Sequence, residues 1–374
     1  MLGYRILLAL ALSFFLCSRL DSQDISIPIE PLRVGYWSTK DIRCGIAIYT
    51  QHIVKALKNG GHKAFIYAHN LSAQELIKQA KKDALNIINI QYEPGIMPPK
   101  EILAQIIAQL KKENICVFMT IHRECEDLVT LATLADHLIF HKTSSYFKFD
   151  DKVHFLEMGA PVYAVKHLNK KQVRKRYGFS EHDIILSTFG FLAAWKEYSI
   201  ILELLVPWLK TNPNHRVQLL TSFNDMDLKG CEIENKKIKD VIQKYKLGKQ
   251  VAHVTEFLTE HILLERLWLS DLGYLWAPIE TQSSSAASKQ FIAARLPLVT
   301  TDSSHYHDIN LGIVKTPKDR TLFIKTLCSL IAKPHALAKL YKDIVKKYFY
   351  INYNTLINKH VELFRMALAL SHRD

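Results

Sequence analysis

From residue 32 onward, two hydrophobic periods take turns along the chain. Short apolar runs alternate with stretches in which apolar residues recur every third or fourth position, which predicts strands alternating with helices. The first strand reads "LRVGYW" (32–37). Helical spacing follows in "GIAIYTQHIVKALKNGGH", with Gly60-Gly61 as the stop. The alternation continues through "AFIYA", a helix near 72–82, "NIINIQY", a helix over 99–112, "CVFMTIH", a short helix and "HLIFH". A second series runs through "DIILSTFG", a helix over 197–210, "RVQLLTS", a helix over 233–245, "VAHV", a helix over 260–269, "LGYLW", a helix over 285–295 and "LPLVTT". From about 334 the pattern is helical. Such βαβ series build parallel sheets covered by helices on both faces. The expectation is an α/β chain of two Rossmann-like, doubly wound domains with a helical tail. The boundaries read as 28–165, 166–345 and 346–374, the last packing back on the first domain. Ligands of these sheets bind outside the carboxyl ends of the strands, which directs attention to the cleft between the domains.

Residues 1–27 stand apart. "MLGYRILLALALSFFLC" has one arginine, an apolar stretch too short to span a bilayer comfortably, and then polar "SRLDSQD". It has the build of a signal-peptide apolar region, but no A-x-A cleavage site follows. Cleaved signal, retained anchor and extension outside the fold all stand as readings.

Charge narrows the partners. Forty-nine Lys and Arg against 36 Asp and Glu give +13, which favours acidic ligands such as nucleotides or phosphosugars. No zinc, RGG or RNP-like signature accompanies the charge, so no nucleic-acid partner is expected. The dense patch "KHLNKKQVRKR" (166–176) has two readings. It is an ordinary surface helix, or it meets an anionic membrane at about 1 kcal/mol per cation. The six cysteines form no CxxC pair, which argues for reduced thiols rather than a disulfide framework or zinc site. The expected location is cytoplasmic, with membrane association open.

Several residues at predicted strand ends carry candidate chemistry. Ser283, Ser284 and Ser285 lie where "DLGYLWAPIE" hands over to a helix. Serine caps free amides there, and a helix N-terminus also seats phosphate. Lys196 lies near a helix start, where the dipole disfavours a cation unless an anion is close. Gly45 opens a helix, and its lack of a side chain allows close approach by a ligand. His122 and Glu93 end N-domain strands.

Several segments carry a resemblance. "DIRCGIAIYT" resembles "ECGIATFT", "NIQYEPGIMPP" resembles "QHEFGIF", and "VFMTIH" resembles a "TLH" strand end. "FLEMGAP" stands where "IPHGVP" is common. "LSTFGFLAAWKEYSIILELL" resembles "LLTFGLLSPGKGIELLLEAL", and "QSSSAASKQFIAARLPLVTT" resembles "QITSGTLAYALGAGKAVVST". Together these segments resemble those of the family 4, retaining, GT-B glycosyltransferases, and they cover nearly all of 32–300. The resemblance implies a GT-B fold and transfer of a sugar from a nucleotide-diphosphate donor to a glycan, lipid or small-molecule acceptor. It also implies retention, with no metal and no other cofactor. Lys196 would neutralise the β-phosphate, Ser284 and Ser285 would meet the donor's phosphates or ribose, and the Gly45 loop would approach the donor. His122 would lie by the transferred sugar as the catalytic histidine, and Glu93 would bind acceptor hydroxyls. The chain departs from the pattern in places. The glutamate pair common around the serine segment is absent, leaving Glu280 or Gln282 as donor contacts. The loop before Lys196 has no arginine, and "HG" is replaced by Met158-Gly159. A nucleotide-sugar epimerase on the same fold and a non-catalytic GT-B scaffold are the alternatives.

Overall fold

The structure is a computed structural model that describes residues 30–40, 42, 44–144, 147, 151–163, 169–225, 227–278 and 284–371. The leader segment, Glu280, Gln282 and Ser283 lie outside the described residues. Two six-stranded parallel sheets organise the rest. The first holds β1 (Arg33–Ser38), β2 (Lys63–Ala68), β3 (Ile87–Tyr92), β4 (Cys116–Ile121), β5 (His137–Phe140) and β6 (Val153–Phe155), in the order β2-β1-β3-β4-β5-β6. The second holds β7 (Ile184–Phe191), β8 (His215–Ser222), β9 (Val251–Val254), β10 (Leu272–Leu275), β11 (Leu298–Thr301) and β12 (Ile313–Thr316), in the order β12-β11-β10-β7-β8-β9. Both orders reverse direction beside the first strand of their series, which creates a switch point at the carboxyl edge of each sheet. Strands β3 and β4 are buried at every position, as continuous apolar runs between two helical layers should be.

The helices agree closely with the sequence pattern. α1 (Gly45–Asn59), α2 (Ala73–Lys82), α3 (Lys100–Lys112) and α4 (Asp127–Leu134) flank the first sheet. α5 (Lys170–Arg176), α6 (Tyr198–Thr211), α7 (Leu228–Lys244), α8 (Glu260–Trp268), α9 (Ala286–Ala293) and α10 (Arg320–Ile331) serve the second. The helix expected over 233–245 starts earlier, because the Asp227 side chain caps it by accepting from Gly230 N. Strands β6 and β12 and helix α10 lie outside the elements read from the sequence.

The tail is α11 (Pro334–Ile351) and α12 (Tyr353–Ser371). They break at Asn352, which caps α12 through Thr355 N. There the tail meets the linker between the sheets: Ala160 N donates to Ile351 O, and Tyr353 N donates to Ala160 O. Ile344, Tyr348 and Ile351 of α11 share a core with the second sheet. Phe364 of α12 packs edge-on to Phe118 of β4, ring centroids 4.9 Å apart, in the core of the first. Linker and tail therefore cross between the two halves at one point.

Candidate functional site

At the carboxyl edge of the second sheet, Lys196 is set by its neighbours. Glu197 takes φ 50 in the left-handed region, at the place where the similar segment "SPGKGIELL" carries glycine. Its carboxylate holds that conformation by accepting from Arg320 at 2.6 and 2.8 Å and from Trp276 Nε1 at 2.9 Å. The Lys196 ammonium lies against the end of β7. A Cβ on Gly190 would sit 2.5 Å from Nζ, and Gly190 adopts φ +145, so only glycine serves there. Among the described residues no carboxylate pairs with Lys196. Its ring contacts are Trp195 and Tyr198, at 5.4 and 5.9 Å from Nζ to the centroids. Burial pulls its pKa down to about 8, and Cys231 opposes this.

The serine segment lies on the same edge. Ser285 is the N-cap of α9, its Oγ accepting from Ser288 N at 3.3 Å. It also hydrogen-bonds the buried Tyr306 hydroxyl. Trp195, beside Lys196, stacks on His305, beside Tyr306, with ring centroids 6.1 Å apart. Ser284 is buried and donates to Asp308 Oδ2 at 2.6 Å. Ser285 caps the helix, as serine chemistry suggests, and Ser284 is engaged by a carboxylate that the sequence reading did not single out.

From the first sheet, His122 follows β4 and is 7% exposed. A buried polar chain sets its tautomer. Asn89 Oδ1 accepts from Thr120 and from Gln91 Nε2, so Gln91 Oε1 turns to His122 Nε2 at 3.0 Å. The ring therefore donates from Nε2 and is left with an acceptor at Nδ1. Burial, assisted by His141, holds its pKa well below the usual histidine value, so it is neutral at pH 7. It can accept a hydroxyl proton and is poorly placed to act as a general acid. Glu93 ends β3, with Arg123 Nη1 3.5 Å away. Burial raises its carboxyl pKa and Arg123 opposes the rise.

Gly45 opens α1 directly opposite α9, where a Cβ on it would come 3.1 Å from Ala286 Cβ. The cavity at this seam is about 10 Å³, lined by Gly45, Tyr49, His52, Lys289, Gln290 and Tyr353 among others. That is room for about one water. The seam is bridged by His52–Glu260 at 2.5 Å and by Glu157–Lys347 at 2.9 Å. The geometry brings Lys196 and Ser285 together on one face and places the Gly45 loop against α9. His122 and Glu93 end neighbouring strands of the facing sheet.

In the described part of the basic patch, residues 169–176, most cations pair with carboxylates, and Arg174 is buried. Arg174 forks onto Asp271 at 2.7 and 2.8 Å. Lys170 also reaches Asp271, Arg176 pairs with Glu265, and Lys171 pairs with Glu181. Among the described residues no group of three or more His, Cys, Asp or Glu is placed to hold a metal ion. No helix among them is long and apolar enough to cross a membrane.

No protein-family model matches the chain, and no curated protein does. Solved structures match it throughout. A glycosyltransferase from Rickettsia africae superposes with a TM-score of 0.72 at 13% identity, covering 91% of this chain and 99% of that one. Anabaena HepE in complex with UDP and glucose gives 0.69 at 10% identity, covering 89% and 99%. A UDP-forming α,α-trehalose-phosphate synthase from Burkholderia vietnamiensis gives 0.67 at 11% identity, covering 92% and 99%. Two parallel Rossmann-like sheets with a returning helical tail, shared with these proteins over nearly the whole chain, constitute the GT-B fold.

Proposed function

We propose that this chain is a glycosyltransferase that takes a sugar from a nucleoside-diphosphate donor. In this reading residues 28–165 serve the acceptor and residues 166–345 hold the nucleotide. The observation that carries it is Lys196, a half-buried ammonium with no carboxylate partner among the described residues, which follows β7, the neighbour of β10, the strand that leads to the cap of α9. A leaving diphosphate needs its growing charge neutralised. A cation and a helix N-terminus on one edge supply that. His122, neutral, would accept from a hydroxyl of the transferred sugar, and Glu93 would bind acceptor hydroxyls. Retention and independence from metal belong to the same reading and rest on the family resemblance. Anabaena HepE is solved in complex with UDP and with UDP-glucose, so UDP is the first ligand to try; the acceptor class is a glycan, a lipid or a small molecule.

The test is a thermal-shift panel of nucleoside diphosphates on the full chain and on Lys196→Ala. A ligand at 100 times its Kd stabilises a fold by about 2.7 kcal/mol. One diphosphate should raise the Tm of the wild type and leave that of the variant unchanged. The absence of any shift in the wild type would overturn the proposal. The closed seam at Gly45 and Ala286 favours a second reading, a non-catalytic GT-B scaffold, which that absence would support.

A further inference from the structure

Beneath the proposed donor seat lies a charge pair that no sequence motif announces. Lys289 Nζ and Asp308 Oδ2 are 2.5 Å apart, with side chains 2% and 1% exposed. The same oxygen accepts the Ser284 hydroxyl at 2.6 Å. Three pieces of chain thus meet on one atom: the residue before the α9 cap, the first turn of α9, and the loop after β11. Asp308 Oδ1 is buried and has no partner among the described residues. The pair also touches the seam. His141 of the first sheet is electrostatically coupled to both members, and Lys347 and Glu157 to Lys289.

Stability alone does not call for such an arrangement, because well-packed apolar residues often replace a buried ion pair without loss. Its position suggests what it does. An anionic seat made of a helix N-terminus works only if its amides hold one orientation, and with its single hydroxyl proton on Asp308, Ser284 serves that seat by fixing the turn. A carboxylate is a strong acceptor for anchoring Ser284, yet a bare carboxylate beneath a diphosphate would repel it. Lys289 removes that conflict. We propose that Asp308 is a positioning residue that anchors Ser284 and the first turn of α9 for the donor's diphosphate, and that Lys289 cancels its charge. This rests on the nucleotide-donor reading above and names two residues that reading does not need.

Two double variants separate anchoring from packing. Lys289→Met with Asp308→Leu removes the charges and the acceptor. Lys289→Met with Asp308→Asn removes the charges and keeps an acceptor for Ser284. With UDP as the titrant, the leucine double should bind about tenfold more weakly than wild type, and the asparagine double should be rescued to within about threefold, at comparable Tm. Equal affinity of the two doubles, where the wild type binds UDP, would overturn the inference and leave the donor reading standing. Hydrogen exchange at the amides of residues 285–288 tests the anchor with no ligand at all. Exchange should be about tenfold faster in the leucine double than in the asparagine double. Should the leucine double fail to fold, Ser284→Ala, which keeps the ion pair, should show the same acceleration. Unchanged exchange in these variants would overturn the inference even if the wild type binds no nucleotide.

Discussion

Burial pulls the Lys196 pKa down, and in the proposed donor site that sets when its charge is available. Its ammonium titrates near pH 8 in the free protein because burial penalises the charge. Only the charged form neutralises a diphosphate, so kcat/KM for the donor should fall as pH rises through about 8. A bound diphosphate favours the ammonium, so kcat should hold to higher pH. A donor-saturation series from pH 7 to 9.5 checks this; a kcat/KM flat across that range would remove Lys196 from the diphosphate. Gly190→Ala tests the same place from below. A methyl group would enter the space of Nζ at a φ that alanine disfavours, costing about 1–3 kcal/mol and displacing the ammonium. Urea unfolding should report the cost, and donor affinity should drop with it. Lys196 was legible because strand, glycine and lysine follow one another in the chain. Asp308 was not. It meets Ser284 and Lys289 from 24 and 19 residues away, and no local period records a pairing of that kind. The same holds for the Asn89–Gln91 chain that sets His122, since polar residues inside a buried strand leave no hydrophobic signature.

Elements were easier to read than contacts. Strand and helix periods placed nearly every long element within a residue or two, because each sheet is buried on both faces and its strands are continuous apolar runs. What escaped was short or at an edge, apart from α10, of which only Phe323 and Leu327 are buried. β6 and β12 span three and four residues at the margins of their sheets, too few to show a period. The α5 segment carries enough charge to suggest a surface ligand, but Asp271, Glu265 and Glu181 consume most of it. The pairing partners lie about 10 to 100 residues along the chain, out of reach of a composition count. α12 offers the test at this scale. Phe364 is fully buried against Phe118 and His360, so Phe364→Ala should destabilise the protein by about 3–5 kcal/mol. A loss below about 1 kcal/mol by urea unfolding would mean that the tail does not brace the first sheet in solution.

At the scale of the whole molecule, acid should loosen the place where the parts meet. His122 and His141 end neighbouring strands, ring centroids 5.5 Å apart, and His360 comes from α12 and is electrostatically coupled to His141. Tyr49 of α1 packs edge-on against His122 and His141, and Lys289 and Asp308 approach from the second sheet. Burial lowers all three histidine pKa values: well below the usual value for His122, to about 4 for His141 and to about 3 for His360. Asp308 pulls His141 upward, but not enough to reverse the shift. Between about pH 6.5 and those folded values the unfolded chain takes up protons that the folded chain refuses. Stability is therefore full above pH 6.5 and is lost as pH falls through this window. By pH 5 the cost is about 2 kcal/mol each for His141 and His360. His137 and His253, lowered to about 4 by burial elsewhere, add to the same slope, so the wild-type curve alone cannot locate the effect. His360→Leu isolates it. The substitution exchanges a buried ring for a side chain that never titrates, whatever it costs at pH 7. The stability lost between pH 7 and pH 5, measured by urea unfolding, should be about 2 kcal/mol smaller in the variant than in the wild type. Equal losses would mean that His360 is protonated as readily in the folded chain as in water, and that the tail helix does not seal the histidine cluster.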